Sequence, residues 1–317
     1  MKKIVFIFLS CLCFSLAKEV YDAQRIADTF VKLNGDKDNP KAKVNHAKGF
    51  CATASFKPEN GITKIIDIPM FKQGSIPTEV RYSLGGALKD DKSKTRGMAL
   101  KMKGKSEEWT MVMLNTEINF AKNPKEFVQF FEARLPVKGK VDHKKIAKLT
   151  KEVASFRNFA AYTDKMGISR SVANTDFHSI HTFYVKDKKS SQMQAIRWKF
   201  VPVDGVKYLS KDEEKSLGKD FLKDDFVQRL EDKKPVAYDM YLVYANEGDA
   251  TDDTTALWQG EHKELLVGRL TVNKYDGLSC DSNVYFPQDI PAGVDVPKDP
   301  LFDIRNEAYA ITFGLRQ

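Results

Sequence analysis

Two stretches, far apart in the chain, set side chains where they could move a proton or hold a charge. In Asn45-His46-Ala47-Lys48-Gly49 a histidine stands immediately before a segment that reads as a strand. An imidazole, with an unperturbed pKa of about 6.5, can take and return a proton near neutral pH. Towards the other end, Arg305 and Tyr309 are four positions apart in a helical pattern, which places a permanent cation one turn before a phenol on the same face. A phenol ordinarily titrates near ~10, so a neighbouring cation is what its ionisation would require. Each feature alone has a commoner reading: a histidine before a strand is more often structural, and an arginine four residues before a tyrosine recurs by chance. His143, His178 and His262 lack the paired spacing of metal ligands, and solvated or hydrogen-bonded imidazoles are the plainer reading of His143 and His262.

These side chains need elements to hold them. A helix is predicted over 21–33, followed by short strands at 49–56, 64–68, 79–84, 97–103 and 108–114, divided by turn signals such as Asn60-Gly61 and Gly85-Gly86. Pro124 opens a helix over 125–135 whose Phe127, Phe130 and Phe131 recur at helical spacing, and 144–153 continues the helical pattern. Strands return at 181–185 and 193–201. Ser210 with Glu213 forms a capping box for a charged helical stretch towards Glu231. Strands at 236–244 and 265–272, a proline-rich crossing over 287–300 and a helix from about Leu301 complete the chain. About nine strands with helical insertions predict an α+β fold whose antiparallel sheet closes into a barrel. The pattern by itself fits a ligand carrier as well as an enzyme.

The N-terminus carries a separate signal. Lys2 and Lys3, the apolar run 4–14 and the small residues of Ser15-Leu16-Ala17 read as a secretory signal peptide over 1–17, cleaved near Ala17. This predicts an exported, periplasmic protein with one domain over 18–317. No later segment approaches the ~20 apolar residues of a transmembrane helix. Loss of Lys2 and Lys3 lowers the formal charge from +8 to +6. Lysines and acids alternate through 211–223 as on a solvated face, with no arginine and aromatic stripe of the kind that binds nucleic acid. Cys51 and Cys280 would meet an oxidising compartment, where pairing and two buried thiols both stay open.

Set side by side, the segments resemble the catalase superfamily. The distal histidine of that family lies in the same His-Ala-Lys-Gly setting as His46, before a small-residue strand like Cys51-Ala52-Thr53-Ala54. Val80-Arg81-Tyr82-Ser83 is similar to its Val-Arg-Phe-Ser strand, and Arg96-Gly97-Met98-Ala99-Leu100-Lys101 to its Arg-Gly-Phe-Ala-x-Lys strand. The stretch 115–124 resembles the segment bearing its distal asparagine, and His181-Thr182-Phe183 matches another family strand. Arg305-Asn306-Glu307-Ala308-Tyr309 matches the Arg-x-x-x-Tyr of the proximal iron ligand, with Arg316 at the place of a further haem-facing arginine. Order and spacing agree over nearly the whole mature chain, and the ending is similar to the short catalase-related peroxidases.

The resemblance implies a b-type haem with Tyr309 as the axial ligand of its iron and Arg305 as the cation beside that phenolate. It makes His46 the acid–base residue, with Ser83 fixing its ring and the Asn115 amide orienting the peroxide. Phe120 becomes the ring beside the haem, Arg81, Arg316 and Lys43 the partners of its propionates, and His181 a support of the pocket. Two departures qualify the match: Asn45 precedes the histidine where larger catalases have an apolar residue, and Asn119 replaces one of two consecutive phenylalanines. The sequence stops eight residues after Tyr309, without the family's long wrapping segment. The expected activity is therefore a haem peroxidase that reduces hydrogen peroxide or organic hydroperoxides with a small organic electron donor, with weak or no dismutation. A non-catalytic haem-binding protein and a hydroperoxide lyase or isomerase are the alternatives. Assembly into a homo-oligomer stays open.

Overall fold

Along β8 (Val236–Tyr244) every second side chain, Val236, Tyr238, Met240 and Leu242, is fully buried, while the residues between them are partly exposed. That two-residue period closes the fold, because a strand with one apolar face must curl that face around a core. The computed structural model describes residues 19–317; the 1–17 leader expected from the sequence lies outside the described residues. In chain order the elements are α1 (Ala23–Asn34), β1 (Gly49–Pro58), β2 (Ile76–Leu84), β3 (Arg96–Lys103), β4 (Glu108–Leu114), α2 (Pro124–Glu132), α3 (His143–Glu152) and α4 (Ala154–Asp164). There follow β5 (Phe177–His178), β6 (Phe183–Lys186), β7 (Met193–Pro202), α5 (Lys211–Ser216), α6 (Phe221–Glu231), β8, β9 (Glu264–Tyr275), β10 (Val294–Asp295) and α7 (Phe302–Gly314).

Antiparallel pairing runs β8-β9-β1-β2-β3-β4-β5-β7, and β7 pairs back to β8. This is the α+β fold expected, an eight-stranded antiparallel barrel with helices outside it, to which β6 and β10 add a short flap. The interior is aromatic: Phe56, Trp109, Trp198, Phe200 and Tyr238 are buried in one core. A second, smaller core outside the barrel joins Ile26 and Phe30 of α1 to Phe127 and Val128 of α2 and to Leu301 and Ala308. This second core ties α7 to α1 and α2, while Phe302 at the start of α7 belongs to the barrel core.

Several expected elements change in detail. The strand at 64–68 does not form. Ile66 and Ile68 are buried, which produced the alternation, but Ile66 makes only an isolated bridge to Asp187. Pro69, which has no N–H to donate to a ladder, opens a 3-10 turn instead. The strand placed at 181–185 starts two residues later, at Phe183, and the two-residue β5 precedes it. The capping box at Ser210 and Glu213 is present, but its helix ends at Ser216 and a new one starts at Phe221. Among the described residues no helix is long and apolar enough to cross a membrane.

Candidate active site

One row of paired residues crosses four strands at one end of the barrel: Gly49 of β1 faces Ser83 of β2, Ser83 faces Gly97 of β3, and Gly97 faces Leu114 of β4. His46 lies three residues before the start of this row and Asn115 one residue after its end. Tyr82 and Met98, the neighbours of Ser83 and Gly97, point into the barrel core. Strand alternation therefore turns Ser83, Gly97 and Arg81 outwards.

On that outer face His46 Nδ1 lies 3.0 Å from Ser83 Oγ. A Cβ at position 97 would come within 2.8 Å of Ser83 Oγ and 2.9 Å of His46 Nδ1, so only glycine leaves room for the pair. His46 has a φ of +50°, in the left-handed region, an unusual backbone for a residue with a side chain. Two bonds hold it there: its N–H donates to Asn45 Oδ1 at 3.0 Å, and its carbonyl accepts from Arg81 Nη1 at 2.9 Å. Burial, then the positive charges of Arg81 and Arg305, push the His46 imidazole down to about 4, so it is neutral at physiological pH, with a ring nitrogen able to accept a proton. Asn115 is less free than expected. Its Oδ1 accepts the Arg96 N–H at 2.7 Å and its Nδ2 donates to the Lys94 carbonyl at 2.8 Å, leaving one amide hydrogen without a partner among the described residues.

The second group is built around α7. Arg305 Nη1 donates to His181 Nε2, and His181 Nδ1 lies 2.7 Å from Asp299 Oδ2. His181 and Asp299 are buried. Burial holds the imidazole below its ordinary value although Asp299 pulls the other way. Burial alone would raise the Asp299 carboxyl, yet His181, the Leu301 N–H and Arg305 together keep it below the usual range. The consistent proton placement is thus a neutral ring that donates from Nδ1 to a carboxylate and accepts from a guanidinium at Nε2. Tyr309, one turn beyond Arg305, is partly exposed, and its hydroxyl makes no hydrogen bond among the described residues.

A third group lies at the rim. Lys43 Nζ donates to the Asn283 carbonyl at 2.8 Å, Arg316 Nη1 to the Asp281 carbonyl at 3.0 Å, and Arg81 Nη2 to the Asp281 carboxylate at 2.8 Å. Burial and the charges of Arg81 and Arg316 lower Lys43 to about 7. Crowded cations with one carboxylate between them make a site for a further anion. A Cβ on Gly49 would press to 3.0 Å from the Arg81 guanidinium carbon.

Phe120 stacks on Phe130 of α2 with ring centroids 4.0 Å apart, inside a cluster with Phe127, Phe131 and Phe159. Of the histidines without metal-ligand spacing, His262 pairs with Asp249 and His143 is the first residue of α3, while His178 continues the row as the partner of Leu114 and its ring pairs with Asp176. Cys51 and Cys280, left open by the sequence, form a disulfide. Three residues of consequence escaped the sequence reading. Asp299, in Lys298-Asp299-Pro300 before α7, reads only as a helix start; Gly97 reads as a strand residue; Asp281 reads as a loop acid.

Comparison with known proteins gives the family and the fold. The family model described as Catalase matches residues 31–316. The chain belongs to the catalase family. A catalase-related peroxidase of Synechococcus elongatus is 28% identical over 88% of this chain and 84% of its own length. One of Mycolicibacterium paratuberculosis is 25% identical over 87% and 90%. Catalase A from Saccharomyces cerevisiae superposes with a TM-score of 0.77 at 19% identity, covering 86% of this chain. The chain spans about 60% of the length of that catalase.

Proposed function

We propose that this catalase-family protein is a haem-dependent peroxidase that reduces hydrogen peroxide or organic hydroperoxides at the expense of a small organic electron donor. The observation that carries the reading is a neutral imidazole held by Ser83 on the outer face of the barrel, within electrostatic reach of Arg305, the cation one helical turn before Tyr309. A carrier has no need of a proton-moving group so placed. The chain's similarity to two catalase-related peroxidases over nearly their whole length supports the same reading.

The residues present fit a b-type haem. Lys43, Arg81 and Arg316 offer three cations to two propionates, Tyr309 offers a hydroxyl without a partner among the described residues, and Phe120 offers an aromatic wall. Arg305 places a permanent positive charge one helical turn before Tyr309. When bound, haem supplies an iron that takes the peroxide and the electrons that break its O–O bond. The chain's own part is proton handling. His46, neutral at physiological pH, takes the proton from the near peroxide oxygen and returns it to the far one. The free amide hydrogen of Asn115 orients the peroxide without competing for that proton. Loss of the proton carrier costs roughly 10²- to 10⁴-fold in such reactions.

The bridge between Cys51 and Cys280 supports export to an oxidising compartment such as the periplasm. Closure of β9 onto β1 and packing of α1 on α7 support a single domain over 18–317. The deciding experiment compares wild type and Tyr309→Phe after haem reconstitution. A high-spin, tyrosinate-like ferric spectrum in wild type, lost in the variant, is expected, together with donor oxidation on adding an alkyl hydroperoxide. Oxygen release from hydrogen peroxide as fast as donor oxidation would overturn the peroxidase assignment. Absence of haem uptake would overturn the whole reading.

A further inference from the structure

The loop after β9 is fastened to the barrel beside the cation cluster. Cys51, whose Cα pairs with that of Arg81 across β1 and β2, is bridged to Cys280, and the Cys280 N–H also points at Cys51 Sγ at 3.0 Å. Asp281 follows directly. Its Oδ1 accepts from Arg81 Nε at 3.1 Å and from Nη2 at 2.8 Å. Arg81 is buried, 4% exposed, and also donates to the carbonyls of His46 and Ala47, which leaves one Nη1 hydrogen over. Covalent bond, carboxylate, guanidinium and main-chain carbonyl thus form one chain from the disulfide to the turn that carries His46. That turn has a left-handed backbone at a residue with a side chain, a conformation that persists only where surrounding bonds over-determine it. Asp281 is also the one carboxylate among the described partners of Lys43, Arg81 and Arg316.

Resting on the haem reading above, we propose that Asp281 is a positioning residue: it holds Arg81 against the His46 main chain, and the Cys51–Cys280 bridge keeps Asp281 in place. Arg81 then serves both sides of one event, fixing the proton carrier from behind while presenting charge to a propionate in front. An exposed loop carboxylate would do this poorly, because a free loop samples many positions and each lost contact leaves Arg81 buried with donors unpaired. The disulfide removes that freedom at the residue next to the one that matters.

Two measurements test it, one without haem. In protein carrying ¹³C-labelled histidine, the His46 ring signal is assigned by its absence from His46→Gln. Asp281→Ala is expected to move or broaden that signal while those of His143, His178 and His262 stay in place. Asp281→Asn, which keeps the acceptor oxygen, is expected to leave it near wild type. The Cys51→Ser/Cys280→Ser variant is expected to reproduce the Asp281→Ala displacement, and the triple variant to add nothing further, as for groups acting in one chain. In the second measurement haem passes from reconstituted protein to excess apomyoglobin. Asp281→Ala is expected to release it about tenfold faster than wild type, the order expected for a lost charge-assisted hydrogen bond. An unmoved His46 signal in Asp281→Ala, with haem release within about twofold of wild type, overturns the proposal. If wild type takes up no haem, the haem reading falls, and the histidine spectrum alone decides the role of Asp281. If the cysteine variant does not fold, Asp281→Ala and Asp281→Asn still decide.

Discussion

The two sides of the site are held by different kinds of bonding. Ser83 and Gly97 meet across neighbouring strands, where register fixes which residues face each other, and His46 sits in the turn three residues before a third strand, its carbonyl held by Arg81 of the same sheet. Arg305 and Tyr309 ride on α7, which has no ladder to the barrel and is placed by an apolar patch and by the hydrogen bond of Arg305 to His181, whose ring pairs in turn with the buried Asp299. A strand neighbour is specified by main-chain hydrogen bonds over its whole length, so one side-chain change leaves it where it was. A docked helix depends on a few side chains, so one of them can move it. The barrel side should therefore lose chemistry before it loses structure, and the helix side the reverse.

The largest expected effect is on the helix side. Asp299→Ala leaves the buried His181 Nδ1–H unpaired and removes the counter-charge from the chain that ends at Arg305. Breaking a buried charged contact of this kind costs about 3 to 5 kcal/mol. Thermal unfolding of Asp299→Ala should fall accordingly, and its haem spectrum should lose the features that depend on Tyr309. A stable Asp299→Ala protein with an unchanged spectrum would mean that the apolar patch alone places α7.

On the barrel side, His46→Gln should keep the fold and the ferric spectrum while donor oxidation drops by roughly 10²- to 10⁴-fold. Circular dichroism and thermal melting supply the structural control. A comparable loss of stability would erase the contrast between the two sides.

How much of this was legible in the sequence follows the same division. The strands carrying Arg81, Ser83 and Gly97 were readable because alternation and turn residues mark them locally. His46, Tyr309, Arg305 and the rim cations became candidates only through their joint order, since each alone is an ordinary residue. Asp299 was not found. Its role depends on a partner, His181, that is 118 positions away, and nothing in Lys298-Asp299-Pro300 points to an imidazole. The same holds for Asp281 and Arg81, two hundred positions apart. The strand expected at 64–68 failed for the converse reason: local alternation reported burial correctly but could not report the absence of a neighbouring strand.

Acid should separate the two sides by titration. Burial and neighbouring cations hold His46 at about 4 in the folded protein, against about 6.5 when unfolded. The unfolded chain therefore binds the extra proton first, and stability falls as pH drops from about 6.5 towards 4. The His46 contribution to that fall is roughly 3 kcal/mol at its full extent. In apoprotein melts, His46→Gln should lose less stability than wild type between pH 7 and pH 4. Asp299 sets the background of this comparison. Its depressed carboxyl contributes stability that is lost as pH falls, and it does so equally in both proteins. Identical pH dependence of the two would mean that the His46 ring is not buried as a neutral base.

The smallest effect is expected at Ser83. Its hydroxyl lies 3.0 Å from His46 Nδ1, and Ser83→Ala removes that one contact while leaving the strand register, Gly97 and the Arg81 bond to the His46 carbonyl intact. The loss of a single neutral hydrogen bond is worth about 1 kcal/mol, or roughly fivefold in rate. Stability should hardly change, because the His46 main chain stays held by its bonds to Arg81 and Asn45. The ratio of the Ser83→Ala and His46→Gln losses is the sharpest measure of the contrast. If the two variants lose equal activity, ring orientation rests on one side-chain hydrogen bond. The barrel side is then as dependent on a single contact as the helix side is on Asp299, and strand register is not what positions the proton carrier.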